Sequence, residues 1–199
     1  GFYNTGYIGN EERPNIEDYL SSVQMGLWMP LSRAHGKTPR EPWQYGDMAL
    51  KEVKKWINFR HRLVPYLYHT ACQTHQSGIP MIRPIVMEYP KAPIAKIQNL
   101  SYMLGDALLI SPGFDRDEYE LYLPEGRWQD IESKEVYEGM TFVHIENKAF
   151  ADGGTSLRVF QKEGTSIPLF AQKEVLHVPA QLWKQEDLEF MTFQKKDVD

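Results

Sequence analysis

The sequence predicts two kinds of structure in succession, an α/β segment and then an all-β domain with the pattern of an antiparallel β-sandwich. Before residue 80, apolar residues recur at helical spacing. After it, short runs rich in β-branched and aromatic residues alternate with turn residues. A chain of 199 residues with 42% hydrophobic and 25% charged residues has an ordinary globular composition, which suits one or two modest domains.

The first segment contains two helical patterns joined by a strand-like run. Pro14 suits the first position of the first helix, and the strand-like run at residues 27–31 follows that helix. Asp47 is expected to cap a long second helix that runs to about His75. Pro65 lacks a backbone donor, so we expect a kink in this second helix.

The all-β part is predicted from runs of β-forming residues separated by turn signals such as Pro124-Glu125-Gly126. These runs lie at residues 81–89, 107–111, 118–123, 141–145, 157–160 and 166–170. Beyond them, aromatic residues are scattered among many charges, which indicates the start of a further, truncated β-domain. The predicted divisions are therefore residues 1–79, 80–172 and 173–199.

Charge and cysteine content exclude several classes of function. A net charge of −5 with a pI near 5.7 argues against nucleic acid as a partner, and no apolar run approaches the roughly 20 residues of a membrane helix. The six histidines form no cluster with metal-ligand spacing, so we expect neither a metal nor another cofactor. The lone Cys72 fits a reducing compartment, and we expect a cytoplasmic location, although a secreted enzyme without disulfides fits as well.

The loop between the strand-like run and the long helix is the best candidate for a binding site. It carries Arg33 and His35, whose imidazole can donate a hydrogen bond to a ligand hydroxyl. Trp28, Trp43 and Tyr45 offer flat apolar faces of the kind on which sugar rings stack. From residue type alone, His35 equally fits a local hydrogen bond, and Trp43 and Tyr45 equally fit packing against the long helix.

A series of longer motifs runs in order along nearly the whole chain. They are Gly1-Phe2, the spaced set Gly26, Pro30, Arg33 and His35, then Arg60-His61-Arg62-Leu63-Val64-Pro65-Tyr66-Leu67-Tyr68, Pro80-Met81-Ile82-Arg83-Pro84, Tyr102-Met103-Leu104-Gly105-Asp106-Ala107-Leu108-Leu109-Ile110-Ser111-Pro112 and Tyr122-Leu123-Pro124-Glu125-Gly126-Arg127-Trp128. Together they resemble the C-terminal third of glycoside hydrolase family 31, the α-glucosidases and α-xylosidases. The chain departs from the family pattern at Lys91, where an aspartate is usual, and at residues 161–164, where Val-Arg-x-Gly is typical.

The resemblance implies a fold and a site. Residues 1–79 become the last strand and helices of a (β/α)8 TIM barrel, with residues 27–31 as the eighth strand, followed by the sandwich. Barrel enzymes build their sites at the C-terminal ends of strands, and His35 follows the eighth strand. The resemblance therefore implies that His35 donates a hydrogen bond to the sugar at the cleavage point. Phe2 lines the same pocket. Arg33 is a weaker candidate, since it equally fits an ion pair with a neighbouring carboxylate.

The chemistry of the family needs more than these residues supply. Retaining hydrolysis uses a nucleophile and an acid/base carboxylate roughly 5 to 5.5 Å apart. The resemblance places both aspartates on earlier barrel strands, and a third, sugar-binding aspartate immediately before Gly1. We therefore expect no catalytic residue in this chain, no activity from it alone, and the upstream remainder of the barrel as a partner. Because one strand and two helices cannot close a barrel, a homo-oligomer is a further expectation.

The expected substrate is an oligosaccharide from which terminal non-reducing α-linked xylose or glucose is removed. Residues 32–36 and 38–43 resemble the α-xylosidase branch and favour xylose by a small margin, with α-glucosidase close behind. An alternative from another class is a non-catalytic carbohydrate-binding or structural β-sandwich module. Exposed coplanar aromatics would favour sugar binding, whereas buried aromatics would favour a bracing role.

Overall fold

The computed structural model describes residues 14–34, 39–93, 101–113, 117–146, 157–171 and 183–195. Three helices come first: α1 spans Ile16–Leu27, α2 spans Asp47–Arg62 and α3 spans Val64–Ser77. A 3-10 turn, Pro42–Tyr45, precedes α2. Antiparallel strands follow, so the predicted order of an α-rich part and then an all-β part is confirmed. Among the helices in these ranges, none combines the length and the hydropathy that a bilayer crossing demands.

The start of α1 lies two residues later than predicted. Asn15 is the N-cap, and its side-chain oxygen accepts a hydrogen bond from the Asp18 N–H at 2.8 Å. This bond satisfies one of the N–H groups that lack a partner at a helix start. Pro14 therefore precedes the cap, and the helix begins at Ile16.

The strand-like run at residues 27–31 does not form a strand. α1 continues to Leu27, and residues 28–31 form turns and bends, with the Trp28 N–H bonded to the Met25 carbonyl at 3.2 Å. A barrel strand exists only when neighbouring strands complete its hydrogen bonds. No parallel strand pair occurs in the described ranges, so this run has no ladder to join.

The predicted long helix is broken into α2 and α3 at Leu63. The interruption predicted from Pro65 is confirmed: the proline occupies the first turn of α3, where its missing N–H leaves no intrahelical bond unmade. At the other end, Gly46 is the N-cap of α2 and Asp47 is the first helical residue, so the predicted cap is one residue late.

The β-part holds ten strands in the described ranges, all of them paired antiparallel. They are β1 Ile82–Pro84, β2 Tyr102–Leu104, β3 Leu108–Pro112, β4 Glu118–Leu123, β5 Arg127–Asp130, β6 Val136–Glu138, β7 Thr141–Glu146, β8 Leu157–Lys162, β9 Thr165–Phe170 and β10 Leu188–Phe193. Six of them form one sheet in the order β1-β2-β3-β8-β5-β6, while β4 pairs with β7 and β9 with β10. A short helix, α4 (Ile85–Glu88), follows β1.

The six-stranded sheet is buried on both faces at its central strand, β3. Leu108 and Ile110 of β3 join a core cluster with side chains of α3 and β9, whereas Leu109 joins a second cluster with side chains of β4 and β7. This division follows from the alternation of side chains along a strand. The sheet therefore lies between a helical layer, completed by β9 and β10, and the β4–β7 pair.

The predicted strands have mixed outcomes. The run at residues 118–123 is confirmed residue for residue as β4. The run at 81–89 is wrong beyond Pro84, because the chain there enters α4. β10 lies inside the predicted third segment and pairs with β9 of the second. The divisions at residues 1–79, 80–172 and 173–199 stay predictions.

Candidate functional site

Two of the three predicted sugar-binding residues, Arg33 and His35, belong to the segment that follows α1, whereas the third, Phe2, precedes that helix in the sequence. Of these three residues, the structure describes Arg33, whose side chain is exposed. Phe2 and His35 lie outside the described residues. The site is therefore defined by Arg33 and by the contacts that hold the chain on either side of His35.

Arg60 of α2 holds the chain before this loop. Its Nη1 donates to the carbonyl oxygen of Leu27, and its Nη2 donates to the carbonyl oxygen of Pro30 at 3.0 Å. Leu27 ends α1, so its carbonyl has no partner within the helix. Beside these bonds the Trp28 ring packs on Phe59, with centroids 5.6 Å apart. Burial lowers the pKa of Arg60 from its ordinary value, yet a guanidinium stays cationic throughout the physiological range.

Tyr19 of α1 holds the chain after the loop. Its Oη donates to the carbonyl oxygen of Arg40 at 2.8 Å, and its ring stacks on Tyr45 with centroids 3.8 Å apart and planes 6° from parallel. Burial, and secondarily the nearby Tyr45, raises the pKa of Tyr19 to about 12, so the hydroxyl remains a donor at neutral pH. Both ends of the loop are thus fastened to the α1–α2 pair.

Two of the three aromatic rings predicted to stack on sugar are covered. Trp28 is buried in the core, and Tyr45 is stacked on Tyr19. Trp43, in the 3-10 turn, is 62% exposed. Packing therefore accounts for Trp28 and Tyr45, whereas Trp43 keeps an exposed ring near the loop.

A cavity of about 450 Å³ opens between α1, α2 and the sandwich. Arg33 does not line it; aromatic, aliphatic and charged side chains do, including those of Trp28, Trp56, Phe59, Arg60, Asp130 and Arg158.

Asp130 is the buried carboxylate of this cavity. It accepts hydrogen bonds from the backbone N–H groups of Glu132 and Ser133, at 2.8 and 3.0 Å. It also forms an ion pair with Arg158, whose Nη1 lies 3.3 Å from Asp130 Oδ2. Through these bonds Asp130 stabilises the turn after β5. In the parts of the chain that the structure describes, no group of three or more His, Cys, Asp and Glu is placed to hold a metal ion.

In the sequence, Arg60 stands only as one letter of a motif. Its contacts reach back 33 residues to Leu27 and 30 residues to Pro30, and no local pattern reveals pairings of that range. The one available signal is general: carbonyls at the end of a helix need donors, and arginine supplies several in a rigid fork.

Comparison with known proteins identifies the chain. Residues 1–70 match the TIM-barrel domain of the glycosyl hydrolases of family 31, and residues 78–174 match the C-terminal domain of that family. Glycosyl hydrolases are thus the class to which both parts are related. The chain belongs to glycoside hydrolase family 31, and its helices and antiparallel sheets correspond to the end of the barrel domain and the domain after it.

Three relatives illustrate the match. A 1,6-alpha-glucosyltransferase of Sporosarcina globispora is 30% identical to this chain, and the match covers 80% of this chain and 13% of the relative. Neutral alpha-glucosidase AB of Homo sapiens is 31% identical, and the match covers 79% of this chain and 17% of the relative. The solved cycloalternan-forming enzyme of Listeria monocytogenes, in complex with a pentasaccharide substrate, superimposes with a TM-score of 0.80 at 28% identity, covering 95% of this chain and 19% of its own. The chain therefore spans less than a fifth of the length of each.

Proposed function

We propose that the chain is the C-terminal part of a retaining α-glycosidase that removes terminal non-reducing α-linked glucose or xylose from oligosaccharides. The observation that carries the proposal is the match of two consecutive family 31 domains, in order, along one chain. The pentasaccharide bound by the Listeria enzyme supports an oligosaccharide as the substrate class.

Glucose is the better-supported sugar. Two relatives with about 30% identity are named as a glucosyltransferase and an alpha-glucosidase. The resemblance of residues 32–36 and 38–43 to the α-xylosidase branch keeps xylose as the second sugar. Discrimination between the two depends on whether the pocket accepts a hydroxymethyl group, and the proposed pocket walls lie largely outside this chain.

In the proposed mechanism this chain binds and orients the sugar. His35 donates a hydrogen bond to a substrate hydroxyl, Phe2 supplies an apolar wall and Arg33 borders the same pocket. The nucleophile and the acid/base carboxylate belong to the upstream remainder of the barrel, so the chain alone is inactive. Among the described carboxylates of the cavity, Asp130 is held by backbone N–H groups and Arg158, which suits it to structure and not to proton transfer. A cytoplasmic location and a homo-oligomer remain predictions.

A non-catalytic sugar-binding module has weaker support. Trp183 meets both Tyr68 and Phe170 edge to face, at 72° and 86°, so these three rings form no coplanar platform. A bracing role accords better with the contacts, because Tyr66 of α3 donates a hydrogen bond to the Leu104 carbonyl at 2.6 Å across the helix–sheet boundary. Such bracing is compatible with the proposed enzyme.

Proton NMR of the reaction tests the proposal. The native protein that carries this chain is incubated with 4-nitrophenyl α-glucoside and α-xyloside, and the β-glucoside serves as the control substrate. We expect release from the α-glycosides, fastest from the glucoside, with the α-anomer of the free sugar appearing first. Initial release of the β-anomer contradicts retention, and no release from either α-glycoside contradicts the glycosidase.

His35→Ala in the same protein tests the proposed sugar contact. Loss of one positioned donor to a substrate hydroxyl is expected to lower kcat/KM by about 1 to 3 kcal/mol of transition-state binding, roughly 5- to 150-fold. Steady-state kinetics on the preferred aryl α-glycoside measures this change. An unchanged kcat/KM removes His35 from the site.

A further inference from the structure

We propose that Arg60 is a positioning residue for the sugar-binding loop, because its guanidinium fixes the backbone that leads into Arg33. The inference rests on the proposed function, since it assigns to Arg60 the placement of a loop that binds the sugar. Arg60 itself does not touch the substrate in this proposal. It acts through the carbonyl oxygens of Leu27 and Pro30.

The geometry of the two hydrogen bonds makes Arg60 a clamp. Leu27 is the last residue of α1 and Pro30 lies three residues further on, so one guanidinium spans the whole turn between the helix and the loop. The planar fork of arginine holds two acceptors in a fixed relative position, which a single ammonium does not. Pro30 lacks an N–H, so the turn has fewer backbone bonds with which to hold itself.

The environment of Arg60 strengthens this clamp. Its partners in the described ranges are carbonyls, so no carboxylate neutralises its charge, and charge-assisted hydrogen bonds are stronger than neutral ones. A cation at the end of α1 also interacts favourably with the negative end of the helix dipole. The packing of Trp28 on Phe59 also restricts this turn.

Arg62, on the same helix, provides a matched control. Its Nε donates to the Phe170 carbonyl at 3.0 Å, and its Nη2 pairs with the Glu189 carboxylate. Arg62 therefore joins α2 to β9 and β10 and makes none of the contacts with residues 27–30. Replacing either arginine removes comparable bonds, but only the replacement of Arg60 releases the loop.

The expected consequence is kinetic. A displacement of about 1 Å in a substrate-positioning group is enough to reduce catalysis roughly 100-fold. If the turn relaxes, Arg33 is displaced relative to the sugar. Substrate binding and transition-state binding then weaken, although the reacting carboxylates remain intact.

The test compares Arg60→Ala, Arg60→Lys and Arg62→Ala in the native protein that carries this chain. Steady-state kinetics on the aryl α-glycoside gives kcat and KM, and thermal unfolding gives the stability of each variant. Hydrogen–deuterium exchange is followed at the amides of Trp28 and Met29, which bond to the carbonyls of Met25 and Gly26.

For Arg60→Ala we expect kcat/KM to fall about 10- to 100-fold, with a raised KM and faster exchange at residues 28–29. The kcat/KM of Arg60→Lys should lie between those of Arg60→Ala and the wild type, because an ammonium bonds one carbonyl at a time. Arg62→Ala should change kcat/KM less than about twofold, even where its melting temperature falls as far as that of Arg60→Ala.

The outcomes separate this inference from the proposed function. An active wild type in which Arg60→Ala leaves kcat/KM unchanged, or in which Arg62→Ala lowers it equally, overturns the positioning role and leaves the glycosidase standing. A wild type that releases no sugar overturns the proposed function and the positioning role with it. If Arg60→Ala does not fold, the same two criteria are applied to Arg60→Lys.

Discussion

Tyr19 and Tyr45 are stacked on each other, but their hydroxyl groups differ in hydrogen bonding. Tyr19 Oη donates to the Arg40 carbonyl, whereas Tyr45 Oη is buried and has no hydrogen-bond partner among the residues that the structure describes. Because a buried polar atom without a partner is unfavourable, the two hydroxyls contribute to stability with opposite signs.

Tyr19→Phe and Tyr45→Phe test this difference, since both keep the stacked ring. We expect Tyr19→Phe to lower the free energy of unfolding by about 0.5 to 1.5 kcal/mol, and Tyr45→Phe to leave it unchanged or raise it. Urea titration of each variant measures the effect. Equal destabilisation by both substitutions contradicts the assigned hydroxyl contacts.

His144 predicts a pH dependence at the surface of the β4–β7 pair. Its Nδ1 lies 2.9 Å from Glu120 Oε1, and its Nε2 lies 3.5 Å from Glu118 Oε2. The hydrogen bond to Glu120, followed by the charges of Glu118, Glu120 and Glu146, raises the pKa of His144 above its ordinary 6.5. The folded protein thus binds this proton more tightly than the unfolded chain.

The sign of the pH effect follows from that preference. The stabilisation by His144 is complete below its ordinary pKa and disappears as the pH rises through the raised folded pKa. The urea midpoint of the wild type should exceed that of His144→Gln by more at about pH 5.5 than at about pH 9. Glu120→Gln should reduce this difference between the two pH values. A difference that is larger at high pH contradicts the assignment.

The residue types of the site were accessible from the sequence, but their partners were not. A histidine and an arginine in a Pro-bounded loop indicate hydrogen bonding to a ligand. Whether Tyr45 faces a ligand or a neighbouring ring depends on Tyr19, which lies 26 positions earlier in the chain. Such pairs arise when elements pack, so composition and spacing do not reveal them.

At the element scale, the contact between α3 and the β2–β3 turn is among the most constrained in the fold. Gly105 has a φ of +60°, and an added Cβ would overlap the Tyr66 hydroxyl and lie 2.9 Å from Thr70 Oγ1. That hydroxyl donates to the Leu104 carbonyl and accepts from the Ala107 N–H at 3.2 Å. The glycine therefore permits both the turn and the close approach of the helix.

Gly105→Ala tests this contact against Gly78→Ala. Gly78 has a φ of +76°, but no atom of the described residues lies within 4 Å of a Cβ added there, so it isolates the cost of the left-handed backbone. We expect about 1 to 2 kcal/mol of destabilisation from Gly78→Ala and about 2 to 4 from Gly105→Ala, because the latter adds overpacking. Chemical denaturation measures both. Equal losses contradict the steric part of the explanation.

Elements were predictable where the pattern is local. β4 alternates exposed and buried residues from Glu118 to Leu121, and its bounds, residues 118–123, were predicted without error. β5 has four residues, too few for a period to be seen, and its Trp128 is fixed by an Nε1–H bond to the Pro124 carbonyl. The run at residues 27–31 has the composition of a strand, but a strand also needs partners that composition does not supply.

At the scale of the whole molecule, the order of strands was beyond the sequence pattern. β8 lies between β3 and β5 in the sheet, although β4 to β7 separate it from β3 in the chain. The two core clusters require this arrangement, since β8 contributes Val159 to one and Phe160 to the other. The adjacent apolar residues Val159 and Phe160 indicate that β8 is buried on both faces but do not identify its neighbours.

The helices and the sheet are packed as one unit, and the proposed loop is held against that unit by Arg60 and Tyr19. In this account the chain contributes one wall of a sugar pocket, and the reactive carboxylates belong to the upstream remainder of the barrel. We therefore expect the chain alone to hydrolyse no glycoside.

Turnover by the isolated 199-residue chain, compared with the native protein that carries it, tests this division most directly. Both are assayed at equal molar concentration on 4-nitrophenyl α-glucoside and α-xyloside, after circular dichroism has shown that the chain is folded. The account predicts sugar release by the native protein and none above the blank by the chain. Release by the chain alone would contradict it, because the catalytic carboxylates would then lie within these residues.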